Sequence, residues 1–151
     1  MPVLLSILGA LAAAAFFYYR VRAASRLTDE TVRAIEDPAL AAAALLIALA
    51  SRRGPMGPAA QSAIRNEMRH VMAVPKVEEA FNFARRVAGH VKDPNELVGR
   101  FSRLWMDRLR PSERAELYDM ASRVAEAYGG PTDEQAGCLR LLSEGLGLTR
   151  P

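Results

Sequence analysis

The sequence is short of the residue types that build covalent cross-links and metal centres. Its 151 residues include a single cysteine, Cys138, and two histidines, His70 and His90. One cysteine excludes an internal disulfide and any metal site built from several cysteines. The two histidines stand on separate predicted helices with no Asp, Glu or Cys at ligand spacing beside them. We therefore expect ordinary, partly exposed helix histidines.

Sequence motifs of common catalytic sites are also missing. The chain has no phosphate-binding Walker loop, no dinucleotide-binding glycine motif, no HExxH and no GxSxG. Cys138 has no histidine next to it that would lower its pKa, so we expect a buried, unreactive thiol. The prediction is a protein that is not an enzyme and that takes no cofactor.

Lysine is almost absent from the basic residues. Of the 20 lysines and arginines only Lys76 and Lys92 are lysine, and 17 acidic residues leave a net charge of +3. The chain has no dense basic run and no aromatic residues interleaved with basic ones. This pattern predicts that the protein does not bind nucleic acid.

A local excess of arginine lies in the first half of the chain. Between residues 52 and 69 the only acidic residue is Glu67, and the arginines are Arg52, Arg53, Arg65 and Arg69. Two interpretations stand side by side. These cations either contact an acidic protein partner or anionic lipid headgroups, or they form an ordinary solvated helix face.

What the sequence has in plenty is apolar residues, and the longest run is at the N-terminus. Residues 3–19 carry no charge. A helix of this length spans roughly 25 Å, close to the ~30 Å of a bilayer's hydrocarbon core. We therefore expect residues 1–24 to form a single transmembrane helix. A cleaved signal peptide is the alternative, but it needs positive charge ahead of the apolar run.

The positive charges follow the apolar run and set the expected orientation. Arg20 and Arg22 predict an N-terminus outside and a C-terminal domain in the cytoplasm, at a bacterial inner membrane. In this arrangement both arginines contact lipid headgroups. Gly9 and Ala13 would allow another membrane helix to approach closely. Residues 25–37 are predicted to form a helical linker capped by Thr28.

The remaining residues, 38–151, predict a compact helical domain. Asp37 followed by Pro38 is a helix start signal. The run 39–50 is apolar nearly all round, which indicates a buried helix too short to cross a bilayer. The fold class predicted here is all-α, with one N-terminal transmembrane helix followed by a compact bundle of six to seven helices.

Capping residues and proline mark the later helix starts. Pro75 is predicted to open one helix and Ser112 to cap another. Thr132 with Gln135 forms a capping box for the last helix. Phe101 and Trp105 lie on one apolar stripe, which favours a role in the core over a role as a partner contact.

Two stretches of the chain are similar when they are displaced by 75 residues. Residues 50–64 and 125–139 each run from a helix end through a glycine turn into a new helix. Both turns place the first inward-facing apolar residue at the same distance beyond the new helix start. The pattern predicts two copies of a helix–turn–helix unit.

With this repeat and helix order, residues 38–149 resemble the TerB-like family, the stretch 111–135 (PSERAELYDMASRVAEAYGGPTDEQ) most closely. The resemblance implies an all-helical domain, which in this family also occurs behind a membrane anchor. It also implies acidic residues at two turn positions in each half, which can hold divalent cations. This chain instead has Arg53, Ala60, Tyr128 and Gln135 at those positions, so we expect no metal.

Together these features predict a membrane-anchored, non-enzymatic helical interaction module that faces the cytoplasm. It would bind a protein partner in an envelope or stress-response assembly. The alternative is an accessory structural subunit of a larger inner-membrane complex, held mainly by its transmembrane helix. A response to metal ions or oxyanions is an analogy to the family and nothing more.

Overall fold

The computed structural model describes residues 27–127 and 131–148, apart from the side chain of Arg53. In these ranges the secondary structure is entirely helical. A short 3-10 helix, Ser51–Arg53, follows the second of the seven α-helices in these ranges. The helices are α1 (Asp29–Arg33), α2 (Pro38–Ala50), α3 (Pro58–His70), α4 (Val77–Val91), α5 (Pro94–Arg108), α6 (Pro111–Glu126) and α7 (Asp133–Gly145).

Helix α2 is the centre of the bundle. Its sequence, PALAAAALLIALA, is apolar throughout, and every residue except Ala50 is buried. Helices α3, α4, α5 and α6 all pack against it. A helix that is apolar on every side is stable in water only when neighbours cover its whole surface. The prediction of a buried helix here is confirmed.

Polar side chains satisfy the N-terminal end of α2 inside the protein. An Asp37 carboxylate oxygen accepts a hydrogen bond from the Ala39 N–H at 2.9 Å. The Trp105 indole N–H donates to the Pro38 carbonyl oxygen at 3.1 Å. Since both side chains are buried, these bonds replace water at a buried helix end. The predicted core position of Trp105 and its neighbour Phe101 is confirmed.

The outer helices bury one face each. On α4 the predicted apolar stripe is confirmed, and its buried members include Val77, Phe81, Ala84, Ala88 and Val91. Helix α3 is the least covered of the longer helices, because only Ile64 and Met68 are buried. Its exposed side is therefore accessible from solvent.

Helices α5 and α7 approach one another closely at a glycine. A Cβ added to Gly145 would overlap the Ser102 hydroxyl and lie 3.1 Å from the Ser102 Cβ. The Ser102 hydroxyl itself donates to the Val98 carbonyl oxygen in the preceding turn. The absence of a side chain at Gly145 is what permits this spacing.

Two of the predicted helix starts are wrong. The helix expected to open at Pro75 begins at Val77, because the Val74 N–H still donates to the Met68 carbonyl oxygen and closes the end of α3. The helix expected to be capped by Ser112 already includes Pro111 as its first residue. There the Glu113 carboxylate accepts the Arg110 N–H at 2.7 Å and does the capping.

The predicted fold class needs a correction at its transmembrane helix. Among residues 27–127 and 131–148, no helix is both long enough and apolar enough to span a bilayer. The most apolar helix, α2, measures roughly 20 Å at helical rise and is enclosed by other helices. The segment 1–24, with Gly9, Ala13, Arg20 and Arg22, lies outside the described residues.

Candidate functional site

Helices α3 and α7 are related by the same displacement of 75 residues that relates the two similar stretches of the sequence. Helices α3 and α7 have 13 residues each. They begin at residues 58 and 133 and end at residues 70 and 145, so both ends differ by the same displacement. Helix α2 precedes and packs on α3, and α6 precedes and packs on α7. The repeat therefore extends over the helix pairs on both sides of the two turns.

Side-chain contacts join the end of α2 to the start of α7. The Arg52 guanidinium, just after α2, forms an ion pair with Glu134 in the first turn of α7. The buried Gln135 side-chain amide donates to the Leu49 carbonyl oxygen at 2.8 Å. This bond satisfies a carbonyl at the C-terminal end of the central helix. The start of α7 is thereby fixed against the end of α2.

An apolar cavity of about 390 Å³ opens between the first repeat turn and the residues that flank the second. We call it the inter-turn cavity. Its apolar lining comes from the first turn, α3, and the end of α6, and includes Met56, Ala60, Ala63, Ile64, Val124 and Ala127. Small-molecule and side-chain pockets typically measure about 300–1,000 Å³ and are mainly apolar. The inter-turn cavity has the size and the lining of such a pocket.

One cluster of charged side chains borders the inter-turn cavity. Arg123 on α6 bonds to Glu67 on α3 through Nε at 3.0 Å and through Nη2 at 3.3 Å. Glu116 on α6 lies 3.6 Å from the same Nη2. Its two neighbours, Glu67 first, raise the pKa of Arg123, so the guanidinium stays charged. We call these three residues the Glu67–Arg123–Glu116 cluster.

The polar groups of Gln135 are already committed. Besides its bond to Leu49, its carbonyl oxygen accepts the Thr132 N–H at 2.9 Å. The Thr132 hydroxyl in turn accepts the Gln135 N–H at 3.1 Å. The capping box predicted from the sequence is thus confirmed. Gln135 therefore fixes one wall of the cavity through one amide N–H and its carbonyl oxygen.

The described residues here do not fit the divalent cation that the family resemblance implies. Ala60 and Gln135, at two of the implied acidic positions, both line the inter-turn cavity without a carboxylate. In the part of the chain that the structure describes, no group of three or more His, Cys, Asp or Glu is placed to hold a metal ion. A hard cation needs several oxygens with net negative charge.

The structure separates the arginines that the sequence grouped. Arg65 pairs with Glu78 at 2.8 Å, and its guanidinium carbon lies 4.2 Å above the ring of Phe81. Arg52 faces α7 instead. Arg69 is exposed on α3, and Arg53 is described in its backbone only. The described members therefore do not converge on one surface.

The remaining titratable candidates have structural roles. His70 is exposed, and the His90 ring bonds to Asp29 at 2.9 Å, linking α4 to α1. Cys138 is buried, and this burial raises the pKa of its thiol to about 11. The predictions of exposed helix histidines and a buried cysteine are confirmed. Neither residue type adds a reactive group to the inter-turn cavity.

The sequence analysis missed the inter-turn cavity, although a signal was present. Residues 54–63 are mostly glycine, proline and alanine. Ala127, just before the second repeat turn, is also small. Small residues on both sides of a junction leave space that large side chains would fill.

Comparison of the chain with protein-family models, with curated proteins and with solved structures finds no match.

Proposed function

We propose that the protein is a non-enzymatic interaction module and that the inter-turn cavity is its binding site for a protein partner. The observation that carries this is an open apolar cavity in a bundle whose other large apolar side chains are mostly packed. The described residues that line it include no Ser, Thr, Cys, His, Lys or Tyr. Together with Asp and Glu, these residue types most often act as nucleophiles or as proton carriers. The Glu67 carboxylate does line the cavity, but both of its oxygens are bonded to Arg123.

The lining of the cavity favours insertion of one large apolar side chain. Its walls include Ala60 and Ala63 on α3, Val124 on α6 and Ala127 just after α6. None of these short side chains extends far into the space. Full burial of a Leu, Met or Phe side chain contributes about 1.5–3 kcal/mol. A contact of this kind at the centre of an interface commonly dominates the binding energy.

Nothing in this function requires the N-terminal segment. The cavity is formed by residues between 50 and 135, all within one helical bundle. The resemblance to the TerB-like family adds an analogy at the level of the fold. It does not identify the partner.

A photo-crosslinker inside the cavity tests this function. Benzoylphenylalanine replacing Ala63, in the full chain expressed in its native cells, should give a discrete adduct with one protein. Adding Ala60→Leu, which places a larger side chain in the cavity, should weaken or abolish that adduct. The same probe replacing Arg86, which is exposed on α4, should not form it.

The matched control is Ala59→Leu. Ala59 is exposed in the same helical turn as Ala60 and does not line the cavity. Both variants add the same side chain at nearly equal helix propensity. An adduct that Ala60→Leu leaves undiminished, or that Ala59→Leu reduces equally, would show that the cavity is not the binding site.

A further inference from the structure

We infer that the partner segment carries a basic side chain close to the apolar side chain that enters the inter-turn cavity. This rests on the proposed function and assigns the chemistry of the partner. The juxtaposition behind it is an apolar cavity with a cluster of net negative charge on one edge. Two carboxylates and one guanidinium make that cluster, and two of its members line the cavity.

The carboxylates of the cluster are not equally neutralised. Glu67 uses both of its oxygens on Arg123, and its side chain is only 17% exposed. Glu116 has the longer contact, 3.6 Å, to a nitrogen that Glu67 already engages, and its side chain is 34% exposed. The excess negative charge therefore lies at Glu116, within reach of a docked partner.

Two arginines near the cavity are paired within the protein. Arg52 is paired with Glu134 at the turn end, and Arg65 is turned away toward Glu78 on α4. Within the Glu67–Arg123–Glu116 cluster the unbalanced charge is negative and lies at Glu116 on α6, which contacts the cavity-lining Arg123 without lining the cavity itself. An acidic partner, one of the two interpretations of the arginines, would carry the same sign as this charge and be repelled by it.

Complementary charge adds modestly to affinity at a half-exposed site. Exchanging an uncharged side chain for lysine beside Glu116 should strengthen binding by roughly two- to fivefold. Because the pair is exposed, the gain should shrink as ionic strength rises. Burial of the apolar side chain should show little dependence on salt over the same range.

Short peptides with one leucine test the inference directly. Acetylated and amidated octapeptides of glycine and serine would carry Leu at position three and Lys one to four residues later. Matched peptides would have Gln or Glu in place of Lys. Binding to the full chain is followed by NMR through the backbone amide shifts of Ala60, Ala63 and Val124. We expect the best lysine peptide to bind most tightly and its glutamate counterpart least tightly.

Glu116→Gln should remove the difference between the lysine and glutamine peptides. The control is Asp119→Asn, which neutralises an exposed carboxylate one helical turn further along α6. It should leave the difference in place. Equal effects of the two substitutions would overturn the assignment to the Glu67–Arg123–Glu116 cluster.

The outcomes separate this inference from the proposed function. Peptides that shift the cavity amides with equal affinity for Lys, Gln and Glu would overturn the basic partner and leave the cavity function standing. Preference for the glutamate peptide would also overturn it and favour an acidic partner. Failure of every peptide to shift the cavity amides, or shifts that persist undiminished in Ala60→Leu, would overturn both.

Discussion

At the scale of single residues, two buried polar side chains stabilise the ends of the central helix. Asp37 and Gln135 satisfy backbone groups at opposite ends of α2. The local part of each role is visible in the sequence, since both belong to capping patterns only a few residues long. The bond from Gln135 to Leu49 joins residues 86 positions apart. No local pattern predicts a contact that depends on how distant helices pack.

The buried Asp37 makes stability depend on pH. Loss of hydration on burial raises the pKa of this carboxyl from 3.8 to about 6, against smaller opposing effects of its backbone bonds and Arg108. The folded pKa exceeds the unfolded one, so the stabilisation is complete below pH 4 and is lost as pH rises through 6. We expect Asp37→Asn, which keeps a capping side chain, to remove this loss of at most about 3 kcal/mol.

The measurement is urea unfolding of the wild type and Asp37→Asn between pH 4 and pH 7. The control is Asp93→Asn, since Asp93 caps α5 with the same geometry but is exposed. The stability difference between Asp37→Asn and the wild type should increase with pH. A difference that stays constant over this range would contradict the role given to Asp37.

Gln135→Ala should destabilise the protein by about 2–3 kcal/mol. It leaves the Leu49 carbonyl and the Thr132 N–H without their side-chain partners at a buried site. Gln61→Ala is the comparison, because Gln61 bonds to the Met56 carbonyl at a part-buried position and should cost less than about 1 kcal/mol. Chemical denaturation measures both, and equal costs would argue against a special role for Gln135.

At the scale of helices, the repeat and the buried central helix could be predicted from the sequence, and the cavity could not. An uninterrupted apolar sequence such as that of α2 has one stable environment, so its burial follows from composition. The two repeat turns were recognisable because glycine and proline mark them. Whether a cavity remains between α3 and α6 depends on which of their residues line the junction. That arrangement is tertiary and left only the indirect signal of small residues.

The crossing of α5 and α7 predicts opposite effects for two glycine substitutions. Gly145→Ala should destabilise the protein by about 1–2 kcal/mol, because the new methyl group overlaps Ser102. Gly99→Ala, also within a helix, meets no atom within 4 Å and should stabilise by up to about 1 kcal/mol. Thermal unfolding distinguishes them by the sign of the shift in Tm. Equal shifts would show that the α5–α7 crossing is not tightly packed.

At the scale of the whole molecule, the bundle is organised around one enclosed helix. The helices that cover α2 all follow it in the sequence. The apolar run at the N-terminus predicted a membrane-spanning helix, and the described part of the chain contains none. An apolar run by itself shows only that the segment is stable in an apolar environment, which either a membrane or the protein core can provide. In α2 that environment is supplied by the protein itself.

This organisation predicts a gradient of protection in native-state hydrogen exchange. The amides of α2 should exchange only by global unfolding, because exposing any of them uncovers most of the core. Amides of α3, with two buried side chains, should open at a free energy lower by at least about 1 kcal/mol. Exchange from α2 at or below the free energy measured for α3 would contradict this view of the fold.

The central position of α2 has a consequence for biosynthesis. Residues 38–50 leave the ribosome before the covering helix α6, which ends at Glu126. At 5–20 residues per second, about 4–15 s pass between synthesis of the last residue of α2 and that of α6. For that interval the apolar segment of a nascent chain lacks the cover that α6 provides. Newly made polypeptide, unlike the finished bundle, should therefore be a client of holding chaperones.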